Sequence, residues 1–587
     1  MFEQPDSKNR ERIQLALLLI VGLMRFVNLG FLDLQAWDEA LYAVRAEGIL
    51  RFGGFLDQTP FSIGGLYSSL HPPLYVWLTS LSFALFGVTE FAARFVSALF
   101  GVFTIFVVYQ LGKELKDSSV GFVAALLFGL NPFVTFLARQ GQFDTTMVFF
   151  LSLAVLSYLK MDIEGKSAHA LVAGLAVGGA LMTKLFVGFG IPLAIALWYV
   201  GHPERRASAW KLLALSAASM AVVALPWHIY MTAVRGFGNP LFFLDASAVL
   251  ERSLYGVEGN VKSLEWFYFA NQLLVLFPLG LFWFALGLFE IFKSRDRQWM
   301  LPALWFVVFF LVFSLMRTKL SVYVLPMLVP VALIGARTVI DSSRNGSSAR
   351  LTALLLGGTG LAYLWSSNQS WRNGSKALLS DVLRVQSPGT STLLSIVPFA
   401  VLSLLVITLC YLLYRYDLIK RIRSVLPILL VIPSFLVSFY NVIGYDLHQY
   451  KDGAAELAAL IDRKQPAGIV IVGFDRNPQL TFYLEGADIG WRNDIEVRRI
   501  SPPAHRSQLR TWLSEQVGEF PSETLVIVEK DKIERYEWVT AEEATPVDYI
   551  LVFDSRRYAV YQRPTTSQLA MFSATRIPSP IAGSGEE

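Results

Sequence analysis

The chain has 587 residues, of which 54% are hydrophobic and only 16% charged, and its mean hydropathy is +0.48. A soluble globular chain carries about 25% charge, and disordered, collagen-like or coiled-coil chains need polar or strictly periodic compositions that are lacking here. The net charge of +4 gives no support for nucleic-acid binding, and one cysteine, Cys410, excludes an internal disulfide and a cysteine-based metal cluster.

In chain order, the first apolar run, Ile13–Leu32, follows Lys8, Arg10 and Arg12 and has no small-residue cleavage site. With many similar runs behind it, it is expected to remain as an anchor rather than to leave as a signal peptide. The segment 72–88 is apolar but short and opens with two prolines, which suits a helix lying on the membrane surface. Runs able to cross, some only if short or tilted, follow at 95–112, 119–138, 144–161, 168–183, 186–200, 208–230, 266–292, 298–316, 320–338, 351–366, 391–414 and 424–443. Together these predict thirteen spans.

Charge bias supports that count. With 72–88 on the surface, the loops 1–12, 113–118, 160–167, 201–211, 293–297, 337–350 and 415–423 share one side and hold 20 Lys and Arg in 65 residues. The opposite short loops hold 13 in about 130, so the positive-inside rule makes the first set cytoplasmic. The amino terminus is then inside and everything after Tyr445 outside. Residues 1–444 form the expected membrane domain, with a first outer loop at 31–91. From 445 to 565 the chain is polar, with strands expected at Gly468–Phe474, Thr524–Val528 and Tyr549–Phe553 and helices at Lys451–Arg463, Asn477–Leu484 and His505–Val517. This predicts a small exoplasmic α/β domain, followed by a Ser/Pro/Gly-rich tail, 566–587, expected to be disordered.

The outer loops carry charges where charges are expensive. Asp38 and Glu39 open a surface helix in AWDEALYAVRAEGILRFGG. Asp38 is either its N-cap or a base or acceptor-binding group facing the bundle; Leu41 gives no capping box. Asp144, in RQGQFDTTMVFF, is either a second cap or a second cavity carboxylate. Lys184, in LMTKLFVGFG, either snorkels or faces inward, and Arg317, Lys319 and Tyr323 either anchor at the interface or join the same group. Carboxylates and cations at one outer level suit a reaction that expels a phosphate: cations neutralise the departing oxygens while a carboxylate serves the nucleophile. The six histidines are scattered without an HExxH pair, and three N-x-S triplets (Asn345, Asn368, Asn373) are expected by chance.

These residues fall into pieces that resemble a known group. WDEALYA (37–43), LHPPLYVWLTSLSFALFGVTEFAARFVSALFG (70–101), RQGQFD (139–144), MTKLFVG (182–188), LPWHIY (225–230) and KLSVYVLP (319–326) are similar, in order and spacing, to the polytopic GT-C glycosyltransferases that join aminoarabinose transferases to protein O-mannosyltransferases. The resemblance implies an α-helical polytopic membrane protein of about thirteen spans with surface helices in the first outer loop and a small C-terminal α/β domain. It also implies an inverting transfer from a polyprenyl-phosphate sugar on the outer face. Residue by residue it makes Asp38 and Asp144 catalytic and gives Glu39, Tyr42, His71, Arg139, Lys184, Arg317, Lys319 and Tyr323 to substrate, with Lys184, Lys319 and Tyr323 at the lipid phosphate. Two positions depart: Leu41 stands where aminoarabinose transferases usually carry arginine, and His71 where they carry lysine and protein mannosyltransferases tend to carry histidine.

The expected protein is therefore a bacterial inner-membrane enzyme that passes a sugar to lipid A, lipopolysaccharide or another envelope glycolipid, with protein as the alternative acceptor. Its expected partners are the lipid-linked donor, the acceptor and membrane lipids, with no nucleic acid. No cofactor is required by the sequence, and a divalent metal stays open. A transporter or flippase would need symmetric halves or helices broken at the midplane, and a glycan-binding sensor would not need Asp38, Asp144 and Lys184.

Overall fold

The computed structural model describes residues 7–35, 37–63, 71–235, 267–345, 453–473, 477–486, 494–500, 523–530 and 549–563. The expected spans at 351–366, 391–414 and 424–443, the helix at 505–517, Cys410 and the tail lie outside them.

Helix α1 (Ser7–Leu23) is shorter than the first apolar run and passes into a tighter turn, Met24–Phe26. The helix stops there because the buried Arg25 guanidinium takes up the carbonyls of Val21 (3.0 Å) and Gly129 (2.9 Å), and Asn28 adopts a left-handed φ of 52°. The expected first outer loop carries α2 (Asp38–Phe52) and α3 (Leu74–Phe86). At 1.5 Å per residue the 13 residues of α3 reach about 20 Å, well short of a hydrocarbon core of about 30 Å.

Next come α4 (Glu90–Leu115), α5 (Ser118–Gly129) and α6 (Pro132–Ala138). The expected continuous run at 119–138 is instead bent by 68° between α5 and α6. Pro132 has no amide to continue the ladder, and the Asn131 side chain caps the new helix by accepting from Phe133 N and Val134 N. Then follow α7 (Asp144–Glu164), α8 (Ser167–Leu181), α9 (Leu185–Gly188), α10 (Gly190–Val200), α11 (Pro203–Arg235), α12 (Tyr268–Leu276), α13 (Pro278–Ser294), α14 (Arg297–Leu315) and α15 (Leu325–Asn345). The runs expected at 186–200 and 266–292 are each broken, the second at Phe277 before Pro278. Among the described residues five helices are long and apolar enough to cross a membrane, or six if the bent pair counts as one. The most deeply buried segment, Ser321–Arg344, takes in α15 and runs through the middle of the bundle.

Five of the loops assigned to one side by charge bias meet at one end of the bundle. Glu11 pairs with Lys113, Lys116 with Asp341, Arg344 with Asp117, Lys160 with Glu114 at 3.0 Å and Arg337 with Asp296 at 3.0 Å.

The C-terminal region forms α16 (Ala454–Lys464), β1 (Gly468–Val472), α17 (Pro478–Tyr483), β2 (Glu496–Ile500), β3 (Leu525–Glu529), β4 (Ile550–Asp554) and β5 (Tyr558–Gln562). They make one sheet in the order β2-β1-β3-β5-β4, parallel across β2, β1 and β3 and antiparallel beyond. The inner strands β1 and β3 are buried on both faces and read as continuous apolar runs. The sequence reading missed β2 and β5: β2 is an edge strand of charged composition, EVRRI, and β5 follows a tight turn too closely to stand out. Phe482 of α17 is buried in the same apolar cluster as Leu34, Tyr42, Tyr75 and Phe143, so this unit rests on the segment that carries α2 and α3.

Candidate functional site

Asp144 begins α7, with Phe143 and not a Ser, Thr or Asp at the cap position. Lys184 stands in extended backbone at the break between α8 and α9, where its amide donates to Ala180 O at 2.9 Å. At the break Leu74 N, at the start of α3, donates to Met182 O at 3.1 Å, which ties α3 to this turn. The two charges come together: Lys184 Nζ lies 3.3 Å from Asp144 Oδ1, both side chains largely buried. The same ammonium sits 4.8 Å from the centre of the Phe143 ring and 5.1 Å from that of Tyr323, within the range of a cation–π contact. Tyr323 is fixed by stacking on Phe313 at 4.8 Å and 18°.

Lys184, His71 and Tyr323 line one rim of a cavity of about 350 Å³. The remaining wall is apolar, built by Leu185–Val187 around α9, by Val308, Phe309 and Val312 of α14 and by Met316 just after it. Val312 and Leu315 are exposed on the outside of the bundle, so this wall continues onto its surface. A cation above an apolar channel is the arrangement that accepts an anionic head with a hydrocarbon tail: the charge stays where a counter-charge is held, and the chain displaces no polar contact. His71, half-buried, has its ring 5.4 Å from Phe143, and Tyr42 contacts Phe143 edge-on at 5.2 Å from beneath.

The other expected residues sit elsewhere. Glu39 does not face the cavity. It is fully buried, and its carboxylate receives two bonds from Arg94 (2.7 and 2.9 Å), Gln35 N (2.7 Å) and Gly141 N (2.6 Å), so it joins three segments below the site. Arg139 is buried and donates to the carbonyls of Arg25 and Val27, tying the RQGQFD loop to the end of α1. Lys319 is also buried; its ammonium donates to Phe313 O (3.1 Å) and Ser314 O (2.7 Å) at the C-terminus of α14, where helix carbonyls attract a cation, and it does not line the cavity. Arg317 is exposed. Asp38 is exposed as the first residue of α2, while Trp37 occupies the cap position, so the capping alternative is not what is found.

Two arginines escaped the sequence reading. Arg94 is described above; an arginine within an apolar run was the available signal, because such charges need a buried partner. Arg45, on α2, is 1% exposed and donates to Gln58 Oε1 (2.9 Å) and His71 O (3.2 Å). Burial pushes its guanidinium down to about 10. It stands one helical turn after Leu41 and positions the His71 backbone at the cavity rim. Among the described residues no group of three or more His, Cys, Asp and Glu could hold a metal ion.

Comparisons with known proteins place the chain among similar folds and sequences. The family model for dolichyl-phosphate-mannose-protein mannosyltransferase matches residues 70–230. An undecaprenyl phosphate-α-4-amino-4-deoxy-L-arabinose arabinosyl transferase of Pseudomonas aeruginosa is 27% identical over 358 residues, 59% of this chain and 63% of its own length. An uncharacterized protein of Aquifex aeolicus is 27% identical over 327 residues, 55% and 63% of the two chains. The chain thus spans less than two thirds of the curated relatives it matches. The crystal structure of ArnT from Cupriavidus metallidurans bound to undecaprenyl phosphate superposes with a TM-score of 0.64 at 19% identity, covering 96% of this chain and 99% of that one. The resemblance read from the sequence is borne out: this is a GT-C-like fold, mostly helical, with a small C-terminal sheet.

Proposed function

We propose that the protein is an inverting membrane glycosyltransferase that moves a sugar from a polyprenyl-phosphate donor to an envelope glycolipid, lipid A or lipopolysaccharide, on the periplasmic face of a bacterial inner membrane. One observation carries this reading: Lys184, paired with Asp144, stands at the rim of an apolar cavity large enough to admit part of a prenyl chain. The lipid tail lies along Leu185–Val187 and α14, and its phosphate replaces Asp144 as the counter-charge of Lys184. Asp144 is then released to face the reacting sugar, and Asp38 or Asp144 takes the acceptor proton as the glycosyl–phosphate bond breaks and the phosphate leaves on Lys184. Tyr323 and His71 flank that phosphate.

The same reading keeps thirteen spans, with the charged loops inside and the C-terminal unit outside. Its support is the meeting of the positively charged loops at one end of the bundle and the short reach of α3. A protein acceptor is the second reading, favoured by the mannosyltransferase match across 70–230 and by His71 in place of lysine. Purified protein supplied with polyprenyl-phosphate sugars tests the first half of the proposal: it should consume them and leave nucleotide sugars untouched. Turnover of a nucleotide sugar alone would overturn it, and analysis of envelope lipids and glycoproteins from a deletion strain would decide between acceptors.

A further inference from the structure

Residues 33–35, the strap that leads into α2 and Asp38, are gripped from two directions. From below, Arg94 donates to the carbonyls of Leu29 (3.0 Å), Leu32 (2.7 Å) and Asp33 (2.9 Å), and Gln35 N donates to Glu39. From above, every contact comes from the C-terminal unit. The Asp33 carboxylate accepts the amides of Gly453 (2.9 Å) and Ala454 (3.0 Å) at the start of α16, Leu34 N donates to the Tyr483 hydroxyl (3.1 Å), and Gln479 Nε2 donates to Leu34 O (2.6 Å).

The grip is itself braced. The Tyr483 hydroxyl donates onward to Glu90 Oε1 at 2.8 Å, at the first turn of α4. Burial and the nearby Glu90 and Asp33 carboxylates push that hydroxyl well above the ordinary tyrosine range, so it stays a neutral donor that can bond both ways. Gln479 is fully buried and accepts from the Tyr558 hydroxyl of β5 at 2.7 Å, which fixes its amide toward Leu34. Beside them Phe482 enters the apolar cluster that also holds Tyr42 and Phe143, the latter ring 4.8 Å from the Lys184 ammonium.

We propose that the C-terminal unit is a positioning element of the active site, acting through Tyr483, Gln479 and Phe482 to fix the strap at 33–35 and thereby the start of α2, which carries Asp38. A soluble appendage that only recognised an acceptor would have no need to spend buried side-chain hydrogen bonds on the backbone of another segment. Here two consecutive polar groups of Leu34, its amide and its carbonyl, are each served by a side chain more than 440 residues away. The inference rests on the glycosyltransferase reading above for its catalytic consequence, though not for its structural one.

The test uses the full-length protein in nanodiscs with Tyr483→Phe, which keeps the ring and removes both hydroxyl bonds, and Gln479→Met as a second variant should the first accumulate poorly. Hydrogen exchange follows the peptide covering 33–41, and kinetics follow donor consumption. The expected result is at least tenfold faster exchange in that peptide and not in α7 or α14. Turnover should fall about 10- to 100-fold with donor KM within about twofold, as a displaced catalytic group predicts. Unchanged exchange at 33–41 would overturn the proposal, and so would faster exchange with unchanged turnover. If the wild-type protein consumes no lipid-linked sugar, the glycosyltransferase reading fails by itself, and the exchange result still decides whether the unit holds the strap.

Discussion

Arg94 closes on Glu39 through two parallel bonds, Nε to Oε1 at 2.7 Å and Nη2 to Oε2 at 2.9 Å, in a place where neither side chain meets solvent. Such a pair contributes little net stability, but breaking one half strands a buried charge. Glu39→Gln is therefore expected to cost about 3–5 kcal/mol and to lower the accumulation of folded protein. Thermal unfolding in detergent checks it. A variant that unfolds at the wild-type temperature while losing donor binding would return Glu39 to the substrate.

Gly141 offers a subtler probe of the same junction. A Cβ there would lie 2.9 Å from Glu39 Cγ and 3.1 Å from Ala93 O, one neighbour a packed side chain and the other backbone. Gly141→Ala keeps every charge yet pushes the RQGQFD loop away from α4, at about 1–3 kcal/mol. Because Asp144 follows three residues later, turnover should fall further than unfolding temperature alone explains. Parallel assays of both quantities on one preparation would show whether the loop's position matters.

Lys184→Ala should weaken donor binding as well as turnover, since the phosphate loses its cation in the ground state too. A bond to a charged group is worth about 1.5–3 kcal/mol, which corresponds to roughly 10- to 100-fold in donor affinity. Lys184→Arg should recover part of it. Donor KM unchanged in Lys184→Ala would remove this residue from the phosphate.

Asp38→Asn separates general base from scaffold. Loss of a base costs about 10²–10⁴ in rate, while the attraction between an exposed Asp at the first helical position and the helix dipole is worth at most about 1 kcal/mol. Donor affinity should hold and turnover collapse. Near-normal transfer would shift the role to Asp144.

For topology, a cysteine at position 116 in a background lacking Cys410 should resist an impermeant thiol reagent in intact cells, and one at position 55 should react. Labelling of position 116 from outside would reverse the assignment of faces and put the cavity rim on the wrong side.

The apolar runs made most helices legible, because twenty residues of hydrocarbon leave few alternatives to a helix. What they hid was continuity. The breaks at Asn131–Pro132 and Phe277–Pro278 depend on a side-chain cap and on a carbonyl, Leu276 O, taken up by the distant Asn131 amide, and single-residue patterns carry no sign of those partners. The same limit governed the site. Asp144 and Lys184 were readable as charges at one membrane level and do meet. Glu39, Arg139 and Lys319 looked equivalent to them in sequence, yet each is consumed by backbone or by another buried charge, a distinction that only packing makes. Strand β2 was missed for a related reason: as an edge it can carry charges that an inner strand could not.

The clamp on Leu34 also has a consequence in time. The strap and the residues that seize it are separated by about 420 positions, from Asp33 to Gly453. At a synthesis rate of about 5–20 residues per second, the strap waits roughly 20–80 s after leaving the ribosome before its partners exist. During that interval the growing chain already owns Asp38, Asp144 and Lys184 but lacks half of the grip on the strap before α2. A ribosome stalled before residue 453, or a message cut short there, would release a chain whose strap lacks half of its grip, and the start of α2 would settle only once the C-terminal unit has been made.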